Sequence, residues 1–207
     1  MDRGRFITFE GIDGAGKSTA LACVRQLLEG RDLEVVATRE PGGTPVGEAI
    51  RGLLLDPATR ASADTETLLV FAARAEHLEQ VIRPALARGA WVLCDRFTDA
   101  TFAYQGGGRG LPLARLEQLR DWVQQDLSPD LTVLIDAPVD VAQARLRGRG
   151  GEVDRFERER NDFHERVRQA YLALAQREPQ RIFRLDASLS RLEVEHALSA
   201  VVESLVA

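Results

Sequence analysis

Lysine is nearly absent from this chain. Of its 27 basic residues 26 are arginine, and Lys17 is the sole lysine. Arginine serves wherever a generic positive charge is enough, so Lys17 marks a place where a compact ammonium fits and a planar guanidinium does not. Cysteine is also scarce. Cys23 and Cys94 each lie in an apolar run, and two such thiols read as small buried hydrophobes in a reducing compartment, not as a disulfide or metal pair. The segment Met1–Arg5 has no apolar signal region, and no run approaches the roughly 18 apolar residues of a membrane span. A cytoplasmic protein that contacts no membrane is expected. Nor is there an excess of positive charge: the formal net charge is −5, which argues against a general nucleic-acid binder but leaves room for a local basic pocket. The three histidines, His77, His164 and His196, show no spacing that pairs them as a metal or acid–base set, and they read as structural or surface residues.

What the chain does contain is a steady alternation of short apolar runs and helical periodicities. Strands are predicted over 6–9, 33–37, 91–94, 131–135 and 181–185. Helices are predicted over 17–29, 45–55, 65–87 with a bend near Pro84, 113–125, 139–146, 157–175 and 191–206. The strands are apolar on both faces, as a parallel sheet covered by helices requires. A length of 207 residues, with no repeat and no linker rich in Pro, Gly or Ser, predicts one domain over 1–207. Two loops stand out, Gln105–Gly110, which is glycine-dense, and Arg145–Gly151, which is arginine-dense and glycine-hinged, and glycine there predicts mobility or unusual backbone angles.

The segment Gly11-Ile12-Asp13-Gly14-Ala15-Gly16-Lys17-Ser18 matches G-x-x-x-x-G-K-[ST] at every fixed position, after a predicted strand and before a predicted helix. Its glycines let successive backbone N–H groups converge on phosphates, and the helix start adds partial positive charge. Lys17 can reach the terminal phosphates, and the Ser18 hydroxyl can ligate Mg²⁺. Thr19 follows as a helix residue near the cradle.

A second phosphate site is suggested by arginines at strand ends. The third strand ends in Asp95-Arg96, where Asp95 suits the Mg²⁺ shell and Arg96 a phosphate; the bland alternative is a surface ion pair. Arg39 follows the second strand, and Arg51 lies in the next helix. Phe71 and Arg74 are three apart and share a helix face, which suits a nucleobase but equally suits a core phenylalanine beside a surface arginine.

Taken together these segments resemble bacterial thymidylate kinases along essentially the whole chain. The resemblance rests on Phe9–Thr19, Thr38-Arg39-Glu40-Pro41-Gly42-Gly43-Thr44, Phe71–Arg74, Asp95-Arg96 through Ala103–Arg109, and Asp154–Glu157. It implies a three-layer α/β sandwich of the P-loop nucleoside monophosphate kinase type, with a five-stranded parallel sheet and helices on both faces. It implies transfer of the γ-phosphoryl of ATP to dTMP, with Mg²⁺, by a homodimer. Gly11 through Thr19 would bind ATP. Arg39, Arg51 and Arg96 would hold or steer the dTMP phosphate, Glu40 would belong to the substrate site, Phe71 would stack near thymine, and Arg74, Thr101 and Gln105 would read the base. Tyr104 would line the sugar pocket, and Asp13 would contact the 3′-hydroxyl. Because Gly14 stands where some members carry an arginine, the resemblance is to the form with basic residues in a lid, here about 145–157 with Arg147, Arg149 and nearby Arg155. Lys17, Arg96, Arg149 and Asp13 would then be the catalytic set.

Overall fold

The computed structural model describes residues 3–149 and 154–206. Five strands form one parallel sheet: β1 (Phe6–Glu10), β2 (Val35–Arg39), β3 (Trp91–Asp95), β4 (Leu131–Asp136) and β5 (Ile182–Asp186), in the order β2-β3-β1-β4-β5. Alternate strand residues feed two separate cores. Ile7, Phe9, Leu93 and Val133 share one face and cluster with Val24 and Leu198. Phe6, Val92 and Cys94 pack with Leu78, Ile82, Leu86 and Phe97 on the other. Both faces are therefore buried, as the apolar strands require. Among the described residues no helix is long and apolar enough to cross a membrane.

Helices α1 (Lys17–Glu29) and α2 (Pro45–Leu55) keep their expected bounds. Thr44 sets the start of α2, because its side chain accepts from Gly47 N–H and Pro45 needs no donor of its own. Strand β2 begins two residues later than expected. Leu33 belongs to the turn after α1, where Asp32 takes a positive φ, and pairing with β3 carries the strand on to Arg39.

The predicted helix over 65–87 is three pieces: α3 (Ala63–His77), a π turn (Leu78–Ile82) and α4 (Arg83–Ala87). Ser62 caps α3 by accepting from Thr65 N–H. Pro84 cannot donate to the preceding turn, and the wider π turn before it absorbs the defect. The chain after β3 was expected to include a glycine-dense loop, but it forms α5 (Thr98–Thr101) and a π turn (Phe102–Gly108). Its glycines serve close packing. A Cβ on Gly107 would lie 2.5 Å from Ala170 Cβ, and one on Gly108 would lie 2.5 Å from the Phe163 ring. The remaining helices are α6 (Leu113–Gln124), α7 (Val139–Arg149), α8 (Asn161–Arg177) and α9 (Arg191–Val206). Residues 157–160, read as helix, are a turn ahead of α8 in which Asp154 Oδ1 accepts from the Phe156 and Glu157 N–H groups.

Candidate active site

The sheet brings the carboxyl ends of β1 and β3 together, with Phe9 in register with Asp95 and Arg96 N–H donating to Phe9 O. The glycine-rich loop leaves β1 at this point. Gly11 has φ +134°, and a Cβ there would lie 2.4 Å from Ile135 O; Gly14 has φ +81°, and a Cβ there would lie 2.2 Å from Ala142 O. Only glycine permits both the turn and this approach of β4 and α7. Helix α1 opens at Lys17 with Gly16 as N-cap and no capping side chain, so its first-turn N–H groups remain available to an anion.

Lys17 is buried and folded across its own loop, with Nζ donating to Gly11 O at 3.2 Å and Ile12 O at 3.1 Å. Burial and neighbouring Arg96 pull its pKa below the ordinary lysine value, against the carboxylates of Asp13, Asp95 and Glu10. A cavity of about 390 Å³ lies over the loop, lined by Lys17, Ser18, Asp95, Arg39, Arg51, Arg96 and Arg145 among others. The three arginines expected to meet a second phosphate thus converge on one space. Arg39 donates to Glu48, and Arg51 donates to Pro41 O. Asp95 Oδ1 is buried and has no hydrogen-bond partner among the described residues. With Ser18 on the same cavity, that orphaned carboxylate oxygen fits Mg²⁺, which is commonly held by one or two protein oxygens together with phosphates and waters.

Arg96 is the hub between this cavity and the next. It takes a positive φ of 69°. Its Nη2 donates to Asp13 Oδ1 at 2.7 Å and to Tyr104 OH at 2.9 Å, and its Nη1 donates to Tyr171 OH at 3.2 Å. Tyr104 OH donates to Asp13 Oδ2, so both oxygens of that carboxylate are engaged. Burial pushes Asp13 up, but Arg96, Lys17 and the two hydrogen bonds outweigh it and hold the carboxyl well below its ordinary value. Behind Arg96, Tyr171 donates to Glu10 Oε2, and Glu10 Oε1 accepts from Phe97 N–H.

The adjoining cavity, about 90 Å³, shares Asp13, Glu40, Arg51, Arg96 and Asp154 with the first. Its walls are mainly apolar: Pro41, Leu54, Leu55, Val70, Phe97, Ala100 and Phe156, with Arg74, Thr101, Tyr104 and Gln105 as polar points. Arg74 Nε donates to Glu40 Oε2 at 2.7 Å and Nη2 to Thr101 Oγ1 at 3.0 Å, while Nη1 is buried without a partner among the described residues. Gln105 Nε2 donates to Glu66.

Phe71, expected as the plate beside the base, is not a wall of this cavity. Its ring packs against the Arg74 guanidinium, with Phe97 also in contact, each centroid 4.9 Å from Cζ. Val70, four residues before Arg74, takes the cavity-facing position, and Phe97 supplies the aromatic wall. Arg155, grouped with the lid, is turned elsewhere: it donates to buried Glu66 at 2.6 Å and to Leu54 O at 2.8 Å. The Arg149 side chain and residues 150–153 of the expected lid lie outside the described residues, and Arg147 is exposed.

Sequence reading missed Glu66 and the turn after β5, and it grouped Arg145 with a loop, whereas Arg145 through Arg149 continue α7. Arg145 donates to Ala15 O and Ala187 O, tying the glycine-rich loop to that turn. Beside it a cavity of about 600 Å³ runs from Ser18 and Thr19 to Asp186, Leu189 and Val194. Only the glycine-rich loop in this wall carries a motif.

A P-loop cradle, a cluster of converging arginines and a half-apolar pocket opening beside them define a nucleotide-dependent phosphotransferase of the nucleoside monophosphate kinase class. The family model for thymidylate kinase matches residues 9–198. Thymidylate kinase of Nitrosomonas eutropha is 59% identical over 203 residues, covering 98% of this chain and 94% of the relative. That of Alkalilimnicola ehrlichii is 56% identical over 206 residues, covering 99% and 94%. Among solved structures, thymidylate kinase from Ehrlichia chaffeensis superposes with a TM-score of 0.77 at 33% identity, covering 98% of this chain and 99% of that one. The chain belongs to the thymidylate kinase family.

Proposed function

We infer that this protein transfers the γ-phosphoryl group of ATP to dTMP, giving dTDP for dTTP synthesis. The observation that carries the acceptor assignment is Arg74: a buried guanidinium on a mainly apolar cavity, with one nitrogen unpartnered among the described residues and the cavity joined through Arg96 to the P-loop. An unmade hydrogen bond at a buried charged group is costly, so a ligand carbonyl there restores a full set.

In this reading the N–H groups of Gly11 to Thr19 and the Lys17 ammonium hold the ATP phosphates, and the adenosine end lies along the cavity beside the turn after β5. Ser18 and Asp95 would hold Mg²⁺, which supplies charge neutralisation on the phosphate oxygens. Arg96, Arg39 and Arg51 grip the dTMP phosphate. Thymine enters between Val70 and Phe97, and Arg74 donates to a base carbonyl with Thr101 and Gln105 nearby. Tyr104 and Asp13 face the sugar. An acceptor phosphate oxygen attacks the γ-phosphorus in line as the bond to the β–γ bridging oxygen breaks. That acceptor is already anionic, so positioning and charge stabilisation suffice without a strong base. Arg147 and Arg149 are assigned to the lid, where they would neutralise charge on the transferred group. We assign 1–207 to a single kinase domain working in the cytoplasm as a homodimer. Exposed Leu53 of α2 and Leu68 of α3 offer apolar surface for such pairing.

A coupled assay with Mg²⁺, ATP and a panel of nucleoside monophosphates tests the reading. Turnover of dTMP well above dUMP, dCMP, AMP and GMP is expected, as is an increased Mg²⁺ requirement in Asp95→Asn. Preference for another monophosphate would overturn the base assignment. Tight ATP binding with no turnover of any acceptor would overturn the enzyme.

A further inference from the structure

His77 lies on α3 three residues beyond Arg74, on the same helix face, and is fully buried. It is not a wall of either cavity, yet both of its ring nitrogens are engaged. Nδ1 is 3.0 Å from Glu40 Oε1, and Nε2 is 2.7 Å from Thr38 Oγ1. A carboxylate oxygen accepts, so Nδ1 carries the hydrogen, and Nε2 pairs with the Thr38 hydroxyl. The other oxygen of Glu40 accepts from Arg74 Nε. The ring also supports the loop after β2: a Cβ on Gly43 would lie 2.6 Å from His77 Cδ2 and 2.7 Å from Thr38 Oγ1.

We propose that His77 is a positioning residue for base recognition, the middle member of a buried relay Thr38–His77–Glu40–Arg74. The inference rests on the reading of the cavity beside Arg74 as the thymine site. A carboxylate beside a guanidinium has two stable poses: one oxygen on Nε alone, or two oxygens bridging Nε and an Nη. The second engages Nη2, which shares an edge with Nε, and so turns the guanidinium away from Thr101. The Nδ1–H of His77 occupies one oxygen of Glu40 and selects the first pose. Nη2 then stays on Thr101, and Nη1 is left for a ligand. The aromatic contacts from Phe71 and Phe97 hold the plane but not its rotation within the plane. The relay supplies that restraint.

The test compares His77→Asn, His77→Gln and Thr38→Val with the wild type. Asparagine places an amide donor near Nδ1 and keeps Glu40 bonded. Glutamine reaches the place of Nε2 and serves Thr38 instead. His77→Asn is expected to keep the dTMP KM within about threefold of wild type, whereas His77→Gln raises it by about tenfold, the scale of one hydrogen bond to a charged group. The ATP KM, and kcat at saturating dTMP, stay within about threefold in both, because the loss is in acceptor binding alone. Equal losses in the two variants, or losses in which the ATP KM and kcat move in step, would mean a merely structural histidine and overturn the proposal. Should the His77 variants not fold, Thr38→Val carries the test. A rise of about threefold in the dTMP KM supports the relay, and an unchanged KM overturns it. A wild type that turns over dTMP while the variants keep its KM sinks the relay and leaves the thymine site standing. A wild type that ignores dTMP sinks both.

Discussion

Arg96 Nη2 lies 2.7 Å from Asp13 Oδ1, although the two residues are 83 apart in the chain. One belongs to the glycine-rich loop after β1, the other to the end of β3. The contact joins the loop that cradles the phosphoryl donor to the arginine assigned to the acceptor phosphate. It exists because a parallel sheet places successive crossover strands side by side with their carboxyl ends at one edge.

Arg96 spreads two guanidinium nitrogens over Asp13, Tyr104 and Tyr171, and the single nitrogen of an ammonium cannot occupy both positions. Arg96→Lys keeps the Cβ and so adds no backbone strain at the positive φ. It is expected to lower kcat/KM for dTMP by about 10²–10³, the scale of losing one preorganised charge-stabilising donor. Steady-state kinetics with dTMP as the varied substrate checks this, and wild-type kcat/KM in the variant would remove Arg96 from the site.

Lys17 is the only lysine, and its surroundings lower its pKa, mainly through burial and Arg96. An amine-acylating reagent is therefore expected to modify one side chain, with ATP and Mg²⁺ slowing the reaction and activity falling in step with labelling. Mass mapping of the product with and without nucleotide is the check. Labelling that ATP leaves unchanged would place Lys17 outside the phosphate cradle.

Burial pushes the Glu10 carboxyl up from 4.5 to about 8, with Asp99 adding to the effect and Arg96, Tyr171 and Phe97 N–H opposing it. Its folded-state value thus exceeds its unfolded value. The folded protein keeps a proton that the unfolded chain releases between these limits, so the contribution is full below about 4.5 and is lost as pH rises toward 8. Glu10→Gln can still accept from Phe97 N–H and meet Tyr171, but it does not titrate. Urea unfolding at pH 5 and pH 8 should show a larger drop in wild type than in the variant. Parallel changes in the two proteins would refute the assignment.

Gly107→Ala distinguishes a packed π turn from a mobile loop. The added methyl would meet Ala170 Cβ at 2.5 Å, and overpacking of this kind costs about 1–3 kcal/mol. A lowered midpoint in thermal or urea unfolding is expected. An unchanged midpoint would show that the turn yields freely.

The glycine-rich loop, the strand count and the bounds of α2 were legible because each depends on neighbours in sequence: glycines at fixed offsets, apolar runs, Thr44 before Pro45. The direction of Phe71 was not legible. Residues 70 and 71 differ by about 100° around the helix, and only the placement of α3 against α2 and the turn after β3 decides which meets the cavity. Glu66 shows the same limit. Nothing beside it in sequence announces a carboxylate that receives Gln105, Arg109 and Arg155 from two distant segments. His77 read as an isolated histidine because its partners, Thr38 and Glu40, lie on another element.

The sequence alone determined the chemistry of the donor side, since a phosphate cradle is built from consecutive backbone N–H groups and one lysine, all within Gly11–Ser18. It also determined the parallel α/β architecture, through strands apolar on both faces. The tertiary structure alone decided which of many arginines share a cavity, which face of α3 lines it, and which buried carboxylates hold those arginines in place. The reason is physical: an arginine's role is set by the acceptors within about 3 Å of its nitrogens, and in this fold those acceptors come from segments tens of residues away.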